Sequence, residues 1–510
     1  MTSPSEKLAQ ALEALKILQD NGKKIIQSAD LSRTHRTRLV KNGFLQEVIK
    51  GWYIMSSYRD RPGDSTAWYI SFWDFAATYL NKKFKGAWCL SPEQSLSLHA
   101  ENWTVPQQLL VRSPKANNKI ILFPHNTSIF DVQYIMPEKK DIVVIKNLRV
   151  FSLESALVTC APKFFTQNPT DVRAALSLIQ DASDIVRLLL AGGHSTIAGR
   201  LAGAFRNIGR KHIADEIIKA MRAAEYEARE YNPFESKPII ISSRTQSPYV
   251  NRMKILWQSM REVVLENFPK PPKKHVSTDA YLKQMAERYI TDAYHSLSIE
   301  GYHVSPELID HVRQGKWNPD VNESDREHKA ALAARGYWLT FKAVEDSVKK
   351  VLGDANPGKV FDKDHPDWYR AMFSPCVLAG ILKPHDLSGY RNHPVYIRGS
   401  MHVPPNSDAL RDLVPAFCGL LSKETEPAVR VVLGHFFFVY IHPYMDGNGR
   451  MGRFLMNVML AAGHYPWLVV PVTQRNQYMS ALETASTTQN IKPFALFLAK
   501  MLSEPVDKIT

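Results

Sequence analysis

The most informative stretch of this 510-residue sequence is residues 442–453, which read His442-Pro443-Tyr444-Met445-Asp446-Gly447-Asn448-Gly449-Arg450-Met451-Gly452-Arg453. An apolar run, residues 431–441, precedes this stretch, and apolar residues recur at helical spacing after it as far as Gly463. Pro443 ends the first predicted helix, and Gly447 and Gly449 allow a tight turn before the second. The sequence therefore predicts two buried helices joined by a short, glycine-containing loop.

This loop carries the groups expected of a phosphate-transfer site. The free N–H groups and the positive dipole end of the second helix form an anion site, and Arg450 and Arg453 share one helix face from which both can bind a polyphosphate. Asp446 is an oxygen ligand of the type that holds magnesium, and His442 can be a neutral base at physiological pH. We predict phosphoryl or nucleotidyl transfer. The alternative is an ordinary helix corner in which Asp-Gly and Asn-Gly serve only as turns and His442 packs against Tyr444.

The loop closely resembles the signature of the Fic family (filamentation induced by cAMP), H-x-F-x-[DE]-G-N-G-R-x-x-R, with Tyr444 in place of the usual Phe. Its Gly-Asn-Gly core, residues 447–449, resembles members that transfer AMP and differs from the Doc-like branch, which carries Ala-Asn-Lys and acts as a kinase. The resemblance implies a protein adenylyltransferase that carries out AMPylation. His442 would deprotonate a Ser, Thr or Tyr hydroxyl of a target protein, and that hydroxyl would attack the α-phosphate of ATP and release diphosphate.

The same resemblance assigns roles to further residues. Asp446 would hold Mg²⁺, and Arg450 and Arg453 would bind the outer phosphates. Asn448 would bind the α-phosphate together with the neighbouring amides of Gly447 and Gly449. Tyr478 would belong to the segment that lines the adenine pocket. A β-hairpin flap containing Val395, Tyr396 and Ile397 would pair with the target backbone by strand addition. The alternative for the flap is a plain surface hairpin.

Upstream of the loop, residues 296–301 read Ser-Leu-Ser-Ile-Glu-Gly and match the inhibitory motif [ST]-x-x-x-E-[GN], placed N-terminal to the core as in class II members. The motif implies that Ser296, Glu300 and Gly301 form a brake, in which the Glu300 carboxylate pairs with Arg453 and displaces the γ-phosphate. The alternative is a helix end with a surface glutamate and a glycine cap. Glu300 has a second conceivable role, the activation of water to remove AMP from a target.

The N-terminal region has a different character. Ser32 can cap a helix that ends near Asn42, and residues 44–54 form a predicted strand pair, so residues 1–60 match a winged helix-turn-helix. The helix carries Arg33, Arg36 and Arg38, which suit DNA phosphates and base edges; the alternative is a solvated basic helix in a protein–protein module. This region, with the later CLSPEQSLSLH, resembles AbiEi-like abortive-infection antitoxins, which implies a DNA-binding, self-regulating module.

Composition is that of a globular protein, with 45% apolar and 22% charged residues. The net charge of +14 permits a polyanionic or phosphate-bearing partner. Four scattered cysteines exclude a disulfide framework or a zinc knuckle, and the absence of a signal-like or membrane-spanning run predicts a cytoplasmic protein without a membrane partner.

We predict a mainly α protein in four parts: a winged helix-turn-helix (1–60), an α+β antitoxin-like domain (61–230), a connector (231–275) and an all-α Fic domain with its inhibitory helix (276–510, core about 365–500). The predicted function is an autoinhibited, ATP- and Mg²⁺-dependent protein adenylyltransferase. The competing prediction is a DNA-binding transcriptional regulator or antitoxin-like protein whose Fic domain senses nucleotide. Whether the chain forms a homo-oligomer is left open by the sequence.

Overall fold

The computed structural model describes residues 3–56, 64–235, 238–239, 247–273, 276–316 and 329–504. The chain forms two compact units. The N-terminal unit contains Met1–Ile255 together with Tyr396–Val403, and the C-terminal unit contains Leu256–Val395 and Pro404–Thr510. The four predicted domain ranges stay predictions, although the range given to the connector contains a 20-residue helix, Pro248–Asn267.

The chain begins with two helices and three short strands: α1 (Pro4–Asp20), β1 (Ile25–Gln27), α2 (Arg33–Lys41), β2 (Leu45–Ile49) and β3 (Trp52–Met55). The strands form an antiparallel sheet of order β1-β3-β2. The Ser32 hydroxyl accepts a hydrogen bond from the His35 N–H and caps α2, and Gly43 follows the helix with a left-handed φ of 74°. The Ser32 cap and the strand pair were predicted and are confirmed, whereas the winged-helix interpretation stays a prediction.

The rest of the N-terminal unit combines small sheets with short helices. A four-stranded sheet pairs, in this order, β4 (Cys89–Leu90), β5 (Gln108–Ser113), β7 (Ser128–Gln133) and β6 (Lys119–Leu122), and a separate hairpin pairs β8 (Ile142–Ile145) with β9 (Leu148–Phe151). The elements are α3 (Thr66–Phe84), β4 (Cys89–Leu90), α4 (Pro92–His99), β5 (Gln108–Ser113), β6 (Lys119–Leu122), β7 (Ser128–Gln133), β8 (Ile142–Ile145), β9 (Leu148–Phe151), α5 (Leu153–Thr159), α6 (Lys163–Gln167), α7 (Pro169–Leu178), α8 (Ser183–Ala191), α9 (Ser195–Asn207) and α10 (Lys211–Ala223). Trp68, Phe72 and Phe75 of α3 are fully buried and anchor one core.

The C-terminal unit is helical, and its described part contains no strand. After α11 (Pro248–Asn267), which spans the boundary in sequence between the units, come α12 (Thr278–Ile299), α13 (Pro306–Arg313), α14 (Lys329–Leu352), α15 (Pro357–Leu378), α16 (Leu410–Lys423), α17 (Pro427–Ile441), α18 (Asn448–Ala462), α19 (Arg475–Thr488) and α20 (Lys492–Ser503). The predicted mainly α fold is confirmed.

The centre of this unit is the helix pair α17 and α18. Nearly every residue of both is buried, since the apolar run before the loop has no polar face to expose. The end of α11 packs on the pair: the ring of Trp257 stacks on that of Phe437 with centroids 5.5 Å apart, and Arg261 donates to both carboxylate oxygens of the buried Glu424 at 2.9 and 3.0 Å. The loop between α17 and α18 is therefore held by a rigid helical frame.

The predicted β-hairpin containing Val395, Tyr396 and Ile397 is not formed, since no strand occurs at these residues. Residues 396–403 instead belong to the N-terminal unit. There the backbone N–H of Gly399 donates to Thr66 Oγ1 at 3.0 Å. Backbone groups that donate to side chains of another element cannot at the same time complete a ladder within a hairpin.

Candidate functional site

The loop between α17 and α18 has a fixed backbone. His442 ends α17 in a left-handed conformation, φ 53° and ψ 61°, which few residues other than glycine adopt. The buried Asn448 side chain closes the loop, because its Oδ1 accepts from the Tyr444 N–H at 2.9 Å and its Nδ2 donates to the Tyr444 carbonyl at 2.8 Å. Asn448, predicted to bind a phosphate, thus has its amide bonded to the loop backbone in this structure.

His442 has the protonation state of a base. Its Nδ1 lies 3.1 Å from the Val439 carbonyl oxygen. A carbonyl can only accept a hydrogen bond, so Nδ1 carries the proton of a neutral ring and Nε2 keeps its lone pair. Burial, together with a smaller effect of the Arg391 charge, lowers the pKa of His442 to about 4. The imidazole is therefore neutral at physiological pH and can accept a proton at Nε2.

Arg391 is a supporting residue that sequence reasoning missed. Its Nε donates to the His442 carbonyl at 2.7 Å, and its backbone N–H donates to the Pro443 carbonyl at 2.9 Å. The guanidinium also donates to the carbonyls of His393 and Pro405. Arg391 is 4% exposed. It fixes the backbone on which His442 stands, and nothing in its local sequence signals a partner 51 residues away.

The start of α18 forms an anion site. Gly447 adopts a left-handed φ of 78° as the N-cap, and a Cβ there would lie 2.9 Å from the Phe373 ring, so both conformation and space require glycine. The free N–H groups of the first turn and the helix dipole favour a negative charge at this end. Arg450 lies in the first turn of the helix and Arg453 three residues further on. They are 2% and 3% exposed, and Arg450 Nε has no hydrogen-bond partner among the described residues. Two buried cations therefore serve one anion site.

A carboxylate of the chain itself already occupies part of this site. Glu300, at the end of α12, accepts a hydrogen bond from Arg453 Nη2 at 2.6 Å. A Cβ on Gly449 would lie only 2.3 Å from Glu300 Oε1, which places the carboxylate against the first turn of α18. Ser296 accepts from Arg453 Nε at 2.9 Å through its hydroxyl. The structure thus brings together Ser296, Glu300 and Arg453 of the predicted inhibitory contact.

Electrostatics favour the ionised form of this pair. Desolvation raises the pKa of Glu300, but the charges of Arg453 and Arg450 more than offset it, so the carboxyl pKa lies below its usual value. Burial alone would lower the pKa of Arg453, whereas the Glu300 charge raises it. Both groups are therefore charged at neutral pH, and a charge-assisted hydrogen bond joins them.

Asp446 is the one acidic side chain of the loop. Its side chain is 68% exposed, its Oδ1 accepts from the Gly447 N–H at 2.6 Å, and Oδ2 lies 3.7 Å from Arg450 Nη2. Among the described residues no group of three His, Cys, Asp or Glu side chains forms a metal site. A single exposed carboxylate fits Mg²⁺ that arrives with a triphosphate, since such ions take most of their remaining ligands from phosphate and water.

A pocket of about 410 Å³ opens beside this carboxylate. It is lined by residues of the inhibitory motif, of the segment that follows it, and of the start of α14: Glu300, Gly301, Tyr302, His303, Lys329 and Ala330, together with Asp446. The pocket therefore contains the candidate metal ligand Asp446 and the predicted inhibitory residue Glu300 in one cavity of the C-terminal unit.

Comparison with known proteins agrees with this geometry. Residues 373–460 match the model of the Fic/DOC family. These residues form a Fic domain. The chain is 30% identical over 237 residues, 46% of its length, to the protein adenylyltransferase Fic of Drosophila yakuba, of which it covers 44%. It is 26% identical over 351 residues to the protein of the same name from Drosophila melanogaster, covering 66% of each. The chain thus spans less than half the length of the first of these relatives.

Among solved structures, the Fic domain and the residues around it align with Fic-1 (residues 134–508) of C. elegans. The alignment covers 66% of this chain and 93% of that chain, at 18% identity and a TM-score of 0.35.

Tyr478, predicted to line an adenine pocket, lies inside the core beside the Fic domain. It is 1% exposed, and its hydroxyl is 2.6 Å from Nε2 of His435, whose pKa burial lowers to about 3. The phenol contacts a buried histidine, and its role toward a nucleotide stays a prediction.

The predicted DNA-binding residues lie outside the Fic domain and have unequal surroundings. Arg36 Nη1 donates to the Ser28 carbonyl at 2.7 Å, and Arg38 Nη1 donates to the Lys7 carbonyl at 2.9 Å. Two of the three arginines thus hold the fold of the N-terminal unit in this structure, and DNA contact by Arg33, Arg36 and Arg38 stays a prediction.

No described helix combines the length and apolar character that a membrane span requires.

Proposed function

We propose that the Fic domain transfers AMP from ATP to a Ser, Thr or Tyr hydroxyl of a target protein. The observation that carries the proposal is the loop itself, which places a neutral His442 next to a helix N-terminus with two buried arginines. A base beside an anion site is what attack of a hydroxyl on a phosphate requires. The name of the two fly relatives, protein adenylyltransferase, supports the same reaction.

In the proposed reaction the target hydroxyl oxygen forms a bond to the α-phosphorus of ATP. The hydroxyl proton passes to His442 Nε2, which is free because Nδ1 faces Val439. The bond from the α-phosphorus to the bridging oxygen breaks, and diphosphate leaves with that electron pair. Arg391 contributes by holding the His442 carbonyl, so that the ring keeps its orientation as it gains a proton.

We assign Asp446 as the protein ligand of the Mg²⁺ that accompanies ATP. The ion would neutralise charge on the triphosphate and on the departing diphosphate. The exposed carboxylate at the mouth of a 410 Å³ pocket supports this assignment.

The four cysteines are all free, which agrees with a reducing, cytoplasmic location for the enzyme.

We further propose that the transferase is autoinhibited. Glu300 bonds to Arg453 and lies against Gly449, so a triphosphate and this carboxylate compete for the same guanidinium and the same helix turn. A bound ATP that cannot reach Arg453 lacks one of its two cationic partners. Displacement of Glu300 would therefore precede productive binding.

The deciding experiment is transfer of label from α-labelled and, separately, γ-labelled ATP with magnesium. The wild type, Glu300→Ala, and Glu300→Ala combined with His442→Ala are compared. AMP transfer predicts label only from the α-position, increased by the first substitution and lost with the second. Label from the γ-position would make the protein a kinase. If neither position gives label, the proposal is contradicted for the target that was supplied.

A further inference from the structure

We infer that Tyr302 is a positioning residue: its ring holds the guanidinium of Arg450, so the inhibitory segment contacts both arginines of the anion site at once. The inference rests on the proposed function and extends it beyond the pair of Glu300 and Arg453. Tyr302 lies outside both motifs found in the sequence.

The guanidinium of Arg450 lies close to two aromatic rings. Its central carbon is 5.3 Å from the ring centroid of Tyr302 and 5.2 Å from that of Phe373, within the range of cation–π attraction. Among the described residues the nearest carboxylate oxygen to this guanidinium is Oδ2 of Asp446, 3.7 Å from Nη2. The aromatic rings thus hold the cation in place, and its Nε donor, which lacks a partner among the described residues, stays available for a phosphate oxygen.

The backbone connects this contact to the brake. Glu300 ends α12, and two residues later the Tyr302 N–H donates to the Leu297 carbonyl at 3.1 Å, which fixes the direction of the chain after the helix. From this one turn Glu300 reaches Arg453 and Tyr302 reaches Arg450. The carboxylate competes with a phosphate, whereas the ring leaves the donors of its arginine free. The two side chains therefore have opposite effects on nucleotide binding.

Tyr302 also faces the open pocket beside Glu300 and Asp446, and the ammonium of Lys329 lies 5.7 Å from its ring centroid. The ring is thus partly exposed at the place where a triphosphate would enter. Loss of the ring would free Arg450 on one side and lower the population of the orientation that binds phosphate.

The test measures binding and needs no target protein. In a background of Glu300→Ala with His442→Ala, which removes the competing carboxylate and prevents turnover, the dissociation constant for ATP with Mg²⁺ is measured by calorimetry. Tyr302→Phe keeps the ring and should bind within about twofold of the background. Tyr302→Leu keeps apolar bulk without a π face and should bind about fivefold more weakly, the ratio expected for a cation–π contact at a partly exposed site.

A second comparison tests whether Tyr302 acts through Arg450. In an Arg450→Met variant of the same background, Tyr302→Leu should cause no additional loss, because the ring acts only through that arginine. Equal affinity of the Phe and Leu variants, or an additional loss without Arg450, would overturn the inference while ATP binding by the background keeps the proposed function standing. No ATP binding by the background would overturn both. Circular dichroism checks folding, and Tyr302→Met replaces a Leu variant that does not fold.

Discussion

Removal of the Glu300 carboxylate should strengthen ATP binding and at the same time lower the stability of the nucleotide-free protein. Glu300 Oε1 and Arg453 Nη2 are 2.6 Å apart, and the two side chains are 33% and 4% exposed. Hydrogen bonds between charged groups contribute about 1.5–3 kcal/mol, and we take about 2 kcal/mol because a third of the carboxylate faces solvent. A triphosphate must displace this contact before it reaches Arg453.

With 1.4 kcal/mol per factor of ten, the Glu300→Ala variant should bind ATP about thirtyfold more tightly than the wild type. Labelling from α-labelled ATP at subsaturating concentration should rise by a similar factor. Without nucleotide, the variant should unfold at a lower temperature, since Arg453 keeps its buried charge and its bonds to Ser296 but loses its carboxylate partner. Saturating ATP with Mg²⁺ should restore the unfolding temperature, because phosphate replaces the carboxylate.

The matched control is Glu287→Ala, which removes an exposed carboxylate from the same helix, α12, 13 residues before Glu300. It should change neither ATP affinity nor labelling. If Glu300→Ala lowers the unfolding temperature but leaves ATP affinity and labelling unchanged, the ion pair is structural only and the reasoning about competition is wrong.

Four other predictions concern the base, its support, the helix turn and the basic helix. Because burial lowers the pKa of His442 to about 4, kcat/KM of the Glu300→Ala enzyme should stay flat as pH falls from about 8 to about 6 and drop only toward pH 4; a midpoint near 6.5 would show an ordinary, exposed histidine. Arg391→Lys should lower kcat about tenfold with little change in KM for ATP, because one ammonium cannot donate to as many carbonyls. Gly449→Ala should abolish ATP binding in calorimetry, since the new methyl group would occupy the space of the anion. Arg36→Ala should lower the unfolding temperature through loss of its hydrogen bonds to backbone carbonyls, whereas Arg33→Ala should not. A gel shift with the DNA upstream of the protein's own gene that depends on Arg33 would support DNA binding.

The sequence was sufficient for the loop and for the fold around it. Proline and glycine at fixed places end one helix and start the next, and the buried helices on either side have no alternative to packing together. The pairing of Glu300 with Arg453, implied by the motif resemblance, is present in the structure at 2.6 Å. Local backbone chemistry and short motifs therefore predicted the loop, its adjoining helices and the pairing of Glu300 with Arg453.

Other features of the site depend on which hydrogen-bond or ring partner a side chain meets in the folded protein. The side-chain amide of Asn448 can form hydrogen bonds either with a phosphate or with the loop backbone, and in the structure it bonds to the backbone of Tyr444. Arg391 reaches carbonyls 51 residues away in sequence, and Tyr302 reaches an arginine almost 150 residues away. Aromatic residues are common in cores, and arginines are common on surfaces, so neither Tyr302 nor Arg391 stands out in the sequence.

Residues 396–403 impose an order on biosynthesis. Met401 and Val403 pack on the hydrophobic core of the N-terminal unit, and the Val105 N–H donates to the Met401 carbonyl at 2.9 Å. A nascent chain that has reached residue 255 therefore lacks part of this core until 148 further residues, the difference between 403 and 255, have been added. At about 5–20 residues per second this delay is roughly 7–30 s. During that interval the apolar surface that Met401 and Val403 cover in the folded unit stays open on the ribosome-bound chain.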